Sequence, residues 1–218
     1  MRKYAAEFIG TFAMVFAGTG AIIINEVSRG AITHPGIAIT FGLIVMAMIY
    51  SLGEVSGAHF NPAVTIGFFT ARRLPGRRVL PYIASQLAGG LLASFVLRGL
   101  FGNVARLGAT LPAGSDGQSF VMEVILTAVL MFVILSVATG SKEQGMMAGI
   151  AIGGTVALEA MFAGPICGAS MNPVRSIAPA VAGGHLGSLW VYVTAPVLGA
   201  VMAVPCWRAT RARPGQAL

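Results

Sequence analysis

Asn61 and Asn172 are the residues whose type and setting offer chemistry. Each is followed by Pro, and each closes a stretch with the same grammar. The first is Gly57-Ala58-His59-Phe60-Asn61-Pro62-Ala63; the second is Gly168-Ala169-Ser170-Met171-Asn172-Pro173-Val174. Asn at the N-cap with Pro at the first helical position is how helices begin. The amide side chain offers an NH₂ donor. The helix start adds free N–H groups and the positive end of a dipole. A water between two such groups would present its oxygen to both, while a cation would meet positive potential. Arg175, three residues after Asn172, adds a permanent charge. The chemistry on offer is the handling of neutral, oxygen-bearing molecules. No cluster of His, Asp, Glu and Cys suggests bond making, so no enzyme is expected.

The elements that must position these residues are apolar. Of 218 residues, 56% are hydrophobic and 10% charged, with a mean hydropathy of +0.82. A soluble domain carries about 25% charged residues, so bilayer is the natural solvent. The net charge of +7 does not point to nucleic acid, because the basic residues sit at the ends of apolar runs, where they set orientation. Six runs read as spans: 4–24, 36–52, 79–100, 119–139, 145–162 and 186–204. The first shows no cleavable-leader pattern and reads as a retained helix. The runs after the two boxes, 61–71 and 172–182, are too short to cross. A helix that starts inside a membrane leaves polar backbone there, tolerated only when buried in protein or lining a watery cavity. Two such starts in corresponding halves point to a path through the membrane.

Glu7 in Ala5-Ala6-Glu7-Phe8 matches Glu123 in Val121-Met122-Glu123-Val124. That match supports inverted repeats of about 1–100 and 119–207 in one channel domain over 1–218, with 101–118 as an outer connector. Both acids are expected to be structural, accepting hydrogen bonds from loop N–H groups. With both termini inside, Arg2, Lys3, Arg72, Arg73, Arg77, Arg78, Lys142, Arg208, Arg211 and Arg213 fall inside. Arg29, Arg98 and Arg106 fall outside. Small residues at Gly89, Gly90 and Ala93 allow close helix packing.

The paired boxes, with Arg175 after the second and Ala6-Glu7-Phe8 near the start, resemble those of the aquaporin (major intrinsic protein) family over nearly the whole chain. The resemblance implies an all-α membrane protein, with six transmembrane helices plus two half-helices in an inverted repeat. It also implies a homotetramer with one pore per subunit. By the same resemblance, the carbonyls of Gly57, Ala58, His59, Gly168, Ala169 and Ser170 line the pore. Arg175 then belongs to a constriction whose other walls map by offset to Phe41, Ala160 and Ala169. Water-selective members usually place His at the position of Ala160, and a larger or polar residue at that of Ala169. Two alanines imply an opening wider than one water. Phe162-Ala163-Gly164-Pro165 and Trp190-Val191-Tyr192 look like the plant nodulin-like subfamily and its bacterial relatives, which pass small hydroxylated neutral solutes. Typical glycerol channels carry Asp where this chain has Ser176. Val174 departs from the usual Ala and is expected to narrow or reshape the pore centre.

The expected function is a passive channel for metalloid acids such as arsenous acid, glycerol-like polyols and water, excluding protons and ions. A mainly water-selective aquaporin is the alternative. A secondary active transporter would need coupling carboxylates at the midplane, and Glu7 and Glu123 already have a structural explanation. No cofactor or metal is expected. His59 lacks partners at ligand spacing and reads as packing or as a gate near the inner mouth. Glu159 either pairs with backbone N–H groups behind the pore or tunes the outer mouth. Cys167 is either a small apolar filler or a thiol near the outer mouth that mercurials could reach. Compact connectors and the absence of long tails point to a bacterial inner membrane, with both termini cytoplasmic.

Overall fold

The computed structural model describes residues 1–141 and 145–211; Lys142 and Arg213 of the charge tally lie outside these. Six helices are long and apolar enough to cross a membrane: α1 (Arg2–Val27), α2 (Thr33–Ser56), α4 (Val79–Phe101), α5 (Asp116–Ala138), α6 (Ala148–Cys167) and α8 (Leu189–Thr210). Between them lie the short α3 (Pro62–Thr70, 9 residues) and α7 (Pro173–Gly183, 11 residues). At 1.5 Å per residue these reach about 14–17 Å, half of a hydrocarbon core of about 30 Å.

The spanning helices are apolar on every side, and the sorting is inside-out. Glu7, Gln86, Glu123 and Glu159 are buried, while Leu80, Leu158 and Phe162 are exposed. Lipid accepts such a surface, and the polar groups find partners within the protein. α1 packs on α4 as α5 packs on α8, and α2 packs on α6. Glycine sets these distances. A Cβ on Gly89 would stand 2.3 Å from the Phe8 carbonyl oxygen, and one on Gly199 would stand 2.3 Å from that of Val124. The half-helices cross over between halves: α3 lies against α8, and α7 against α4.

Several boundaries depart from expectation: α2 runs on to Ser56 rather than 52, and α8 to Thr210 rather than 204. The fifth span continues as α6 through Pro165 to Cys167 rather than stopping at residue 162. Proline lacks the N–H that would bond the carbonyl four residues back. That carbonyl, on Met161, instead lies 2.8 Å from His34 Nε2, so the helix continues without an orphaned acceptor. The expected connector does join α4 to α5, and part of it is built into the protein. Residues 104–108 make a tight turn in which Ala105, Arg106 and Leu107 are all left-handed, at φ +47°, +51° and +55°. Leu107 is buried there in a cluster with Ile23, Leu97 and Ala182. That apolar anchor holds a backbone conformation costing about 1–2 kcal/mol per residue.

Candidate functional site

The loops ahead of the two half-helices share one backbone. Gly57 and Gly168 end α2 and α6 in the left-handed region, at φ +89° and +80°. Ala58 and Ala169 remain there at +50° and +41°, as do Phe60 and Met171 at +50° and +53°. Non-glycine residues in that region cost roughly 1–3 kcal/mol each and persist only where their surroundings over-determine them. Two carboxylates do this. Glu7 Oε1 accepts from Ser56 Oγ (2.7 Å) and His59 N (3.0 Å), and Oε2 accepts from Phe60 N and Gln86 Nε2 (2.8 Å each). Glu123 accepts from Ser170 N (2.7 Å) and Met171 N (2.8 Å). With their N–H groups fastened to buried acids, the loops present Gly57, Ala58, His59, Ala169 and Ser170 to one large cavity. Gly168 lines a smaller one.

Each Asn does two jobs. Asn61 Oδ1 caps α3 by accepting from Ala63 N (2.8 Å). Asn172 Oδ1 caps α7 by accepting from Val174 N (3.0 Å) and Arg175 N (3.4 Å). Their Nδ2 atoms reach across the junction: Asn61 donates to the Met171 carbonyl (2.7 Å) and Asn172 to that of Phe60 (2.9 Å). The box sequences gave no sign of this mutual bracing. An amide carries two hydrogens, so among the described residues one hydrogen of Asn61, a residue lining the large cavity, has no acceptor. The second hydrogen of Asn172 meets only Met14 Sδ, a weak acceptor at 3.6 Å.

Pro62, Ala63, Pro173 and Val174 are buried and line neither cavity; they set the helix starts. Val174 therefore puts no side-chain atom on the wall of either cavity. On a helix it lies about 100° round from Arg175. Its Cγ1 faces α4, where a Cβ on Gly90 would come within 2.5 Å.

The large cavity, about 760 Å³, runs from Asn61, Asn172 and Val64 to Tyr50 and Met146. The small one, about 210 Å³, is walled by His34, Thr110 and Gly168 among others. Four residues line both: Phe41, Ala160, Ala169 and Arg175. The quartet mapped from box offsets is thus brought together as the neck between two chambers. Arg175 Cζ stands 4.9 Å from the Phe41 ring centroid. Its Nη1 donates to the Gly108 carbonyl at 2.7 Å. Gly108 ends the left-handed turn of the connector, which therefore helps to hold the neck. No sequence signal singled it out.

His59 lies in aromatic packing, 4.6 Å from Phe68 and 5.0 Å from Tyr82 between ring centroids. Its Nδ1 is 3.1 Å from Thr65 Oγ1. Among the described residues no group of three or more His, Cys, Asp or Glu is placed to hold a metal. Glu159 is buried, lines neither cavity and among the described residues leaves Oε2 without a partner. Cys167 is also buried, with Sγ 3.5 Å from the Ala163 carbonyl, and is closed to thiol reagents in this conformation.

Residues 1–207 match the family model for the major intrinsic protein. The chain belongs to that family. It is 52% identical over 202 residues to Aquaporin NIP1-1 of Oryza sativa subsp. japonica, covering 92% of this chain and 71% of the relative. It is 47% identical over 202 residues to Nodulin-26 of Glycine max, covering 92% and 74%. Among solved structures, the aquaglyceroporin from Plasmodium falciparum is similar at a TM-score of 0.86 and 25% identity, with 96% of both chains covered. The aquaporin fold and the nodulin-like resemblance both hold. The protein is an integral membrane channel for small solutes, not an enzyme. The relatives named for the sequence match are plant proteins and lend no support to a bacterial inner membrane.

Proposed function

We propose that the channel passes small neutral hydroxylated solutes, namely glycerol-like polyols and undissociated metalloid acids such as arsenous acid, together with water. The observation that carries this reading is the neck itself. Its walls are one aromatic ring, one guanidinium and two methyl groups. Two alanines leave the bulk to Phe41 and the charge to Arg175. A solute with a carbon or metalloid centre can lie against Phe41 and the alanines while its hydroxyls meet Arg175. Protons and cations are refused on the account established for aquaporins, in which half-helix dipoles and a pore arginine supply positive potential.

The same proposal places both termini in the cytoplasm. Its support is the basic set Arg72, Arg73, Arg77, Arg78, Arg208 and Arg211, against Arg29, Arg98 and Arg106. A homotetramer is proposed on the family pattern. Large exposed apolar side chains such as Leu43, Ile125, Leu158 and Phe162 suit lipid and partner copies alike.

Light scattering on proteoliposomes, with water, glycerol and arsenous acid gradients run side by side, tests the reading. Fast solute entry is expected, falling about tenfold in an Ala160→His, Ala169→Thr double variant while water flow persists. Fast water flow with no solute entry in the wild-type protein sinks it and leaves a water channel.

A further inference from the structure

We infer that His34 supplies a hydrogen-bond acceptor in the outer chamber, so that a hydroxylated solute is held between His34 and Arg175 before it enters the neck. The inference rests on the solute-channel reading above and adds a site on a different helix from any box residue.

The chemistry follows from Pro165. Because proline has no N–H, the Met161 carbonyl in α6 has no intrahelical donor. His34, in the first turn of α2, places Nε2 2.8 Å from that oxygen. A carbonyl can only accept, so Nε2 must carry the hydrogen. In the neutral ring the other nitrogen, Nδ1, is then an acceptor. Nδ1 takes no hydrogen bond from the protein among the described residues. Gly164 makes the arrangement possible, since a Cβ there would stand 2.8 Å from His34 Cε1. One proline and one glycine in α6 thus fix the tautomer of a histidine on α2.

The acceptor faces a chamber whose one charged side chain can only donate. His34 and Arg175 wall the same chamber of about 210 Å³, room for several waters at ~30 Å³ each. Arg175 can only donate. Phe41, Ala160 and Ala169 bring no side-chain acceptor. The Thr110 hydroxyl spends its hydrogen on Ser176 Oγ at 2.7 Å, which leaves its oxygen as a second, neutral acceptor on the same wall. A polyol or undissociated hydroxy acid carries hydroxyl groups on separate positions. One hydroxyl donates to His34 Nδ1 while the oxygen of another accepts from Arg175.

A purely structural role for His34 makes a different forecast, and Pro165→Ala separates the two. That substitution returns an N–H to the Met161 carbonyl and removes the structural need for His34, while the carbonyl's second lone pair still accepts from Nε2 and keeps the tautomer. Glycerol and water permeabilities are measured by stopped-flow light scattering in proteoliposomes for Pro165→Ala alone and combined with His34→Ala or His34→Gln. The expected result is a glycerol-to-water ratio about fivefold lower in the Ala combination, the loss of one neutral hydrogen bond. The Gln combination, whose amide oxygen can accept, is expected to recover most of it. Equal ratios in Pro165→Ala and its His34→Ala combination overturn this inference alone and leave His34 as a prop for α6. Absence of glycerol flux in the wild-type protein overturns the channel reading, and this inference with it.

Discussion

The loop at residues 57–61 and the loop at 168–172 are one structure used twice. Both carry the same left-handed backbone pattern, a buried glutamate behind it and an Asn that caps its own half-helix while bracing the other. One of their differences changes the chemistry of the path. Three residues after Asn61 stands Val64, an apolar wall of the large chamber; three after Asn172 stands Arg175, a charge in the neck. The scaffold is therefore shared, and discrimination is a decoration on the second copy. A second difference supports this. The first loop turns His59 into aromatic packing with Phe68 and Tyr82. The second ties Ser170 Oγ to Ser176 Oγ at 2.6 Å and so to Thr110 on the outer turn.

Removing the shared part should do the greatest damage. Glu7→Ala strands the N–H groups of His59 and Phe60 as well as Gln86 and Ser56; Glu123→Ala strands those of Ser170 and Met171. At about 1–3 kcal/mol per orphaned buried donor, both variants should lose several kcal/mol. Glu7→Ala should melt lower, read by thermal unfolding of purified protein. Equal wild-type melting for either would break the claim that the acids hold the loops.

Making the second loop copy the first is the next test. Arg175→Val should leave the fold intact and raise proton leak about tenfold or more, followed with a pH-sensitive dye inside proteoliposomes, because the neck loses its only charge. An unchanged leak would assign the barrier to the helix dipoles alone.

The smallest effect is expected at Val174. Its side chain is fully buried against Gly90 and away from both chambers. Val174→Ala should cost about 1–2 kcal/mol of stability and leave the glycerol-to-water ratio unchanged. A shift in that ratio would show that the second box tunes the path after all.

Much of this architecture was legible because the bilayer narrows the choices. Apolar runs of spanning length, Asn-Pro helix starts and repeated glutamates each have one reading when backbone must pair internally. The structural roles of Glu7 and Glu123 were legible for that reason. What was not legible depends on direction. Val174 and Glu159 neighbour path residues in sequence, and only the packing of α7 and α6 decides that they point elsewhere. Cys167 was placed near the outer mouth by sequence position, yet α6 continues past Pro165 and buries it. A proline inside a helix does announce an orphaned carbonyl, so a partner for Met161 could have been sought, though nothing named His34 as that partner.

The sequence by itself determined six spans, two half-helix starts and the repeat that pairs them, while the four residues at the neck were reached through the family resemblance, by offset from its boxes. Those follow from period, length and motif offset, which are properties of the chain in order. Tertiary structure alone decided that each Asn braces the opposite loop. It also decided that a left-handed turn in the connector offers the Gly108 carbonyl to Arg175, and that His34 completes a helix more than one hundred residues away. These contacts join segments distant in sequence through single polar atoms. A hydrogen bond is specific to angstroms, and the order of residues along a chain carries no such coordinates.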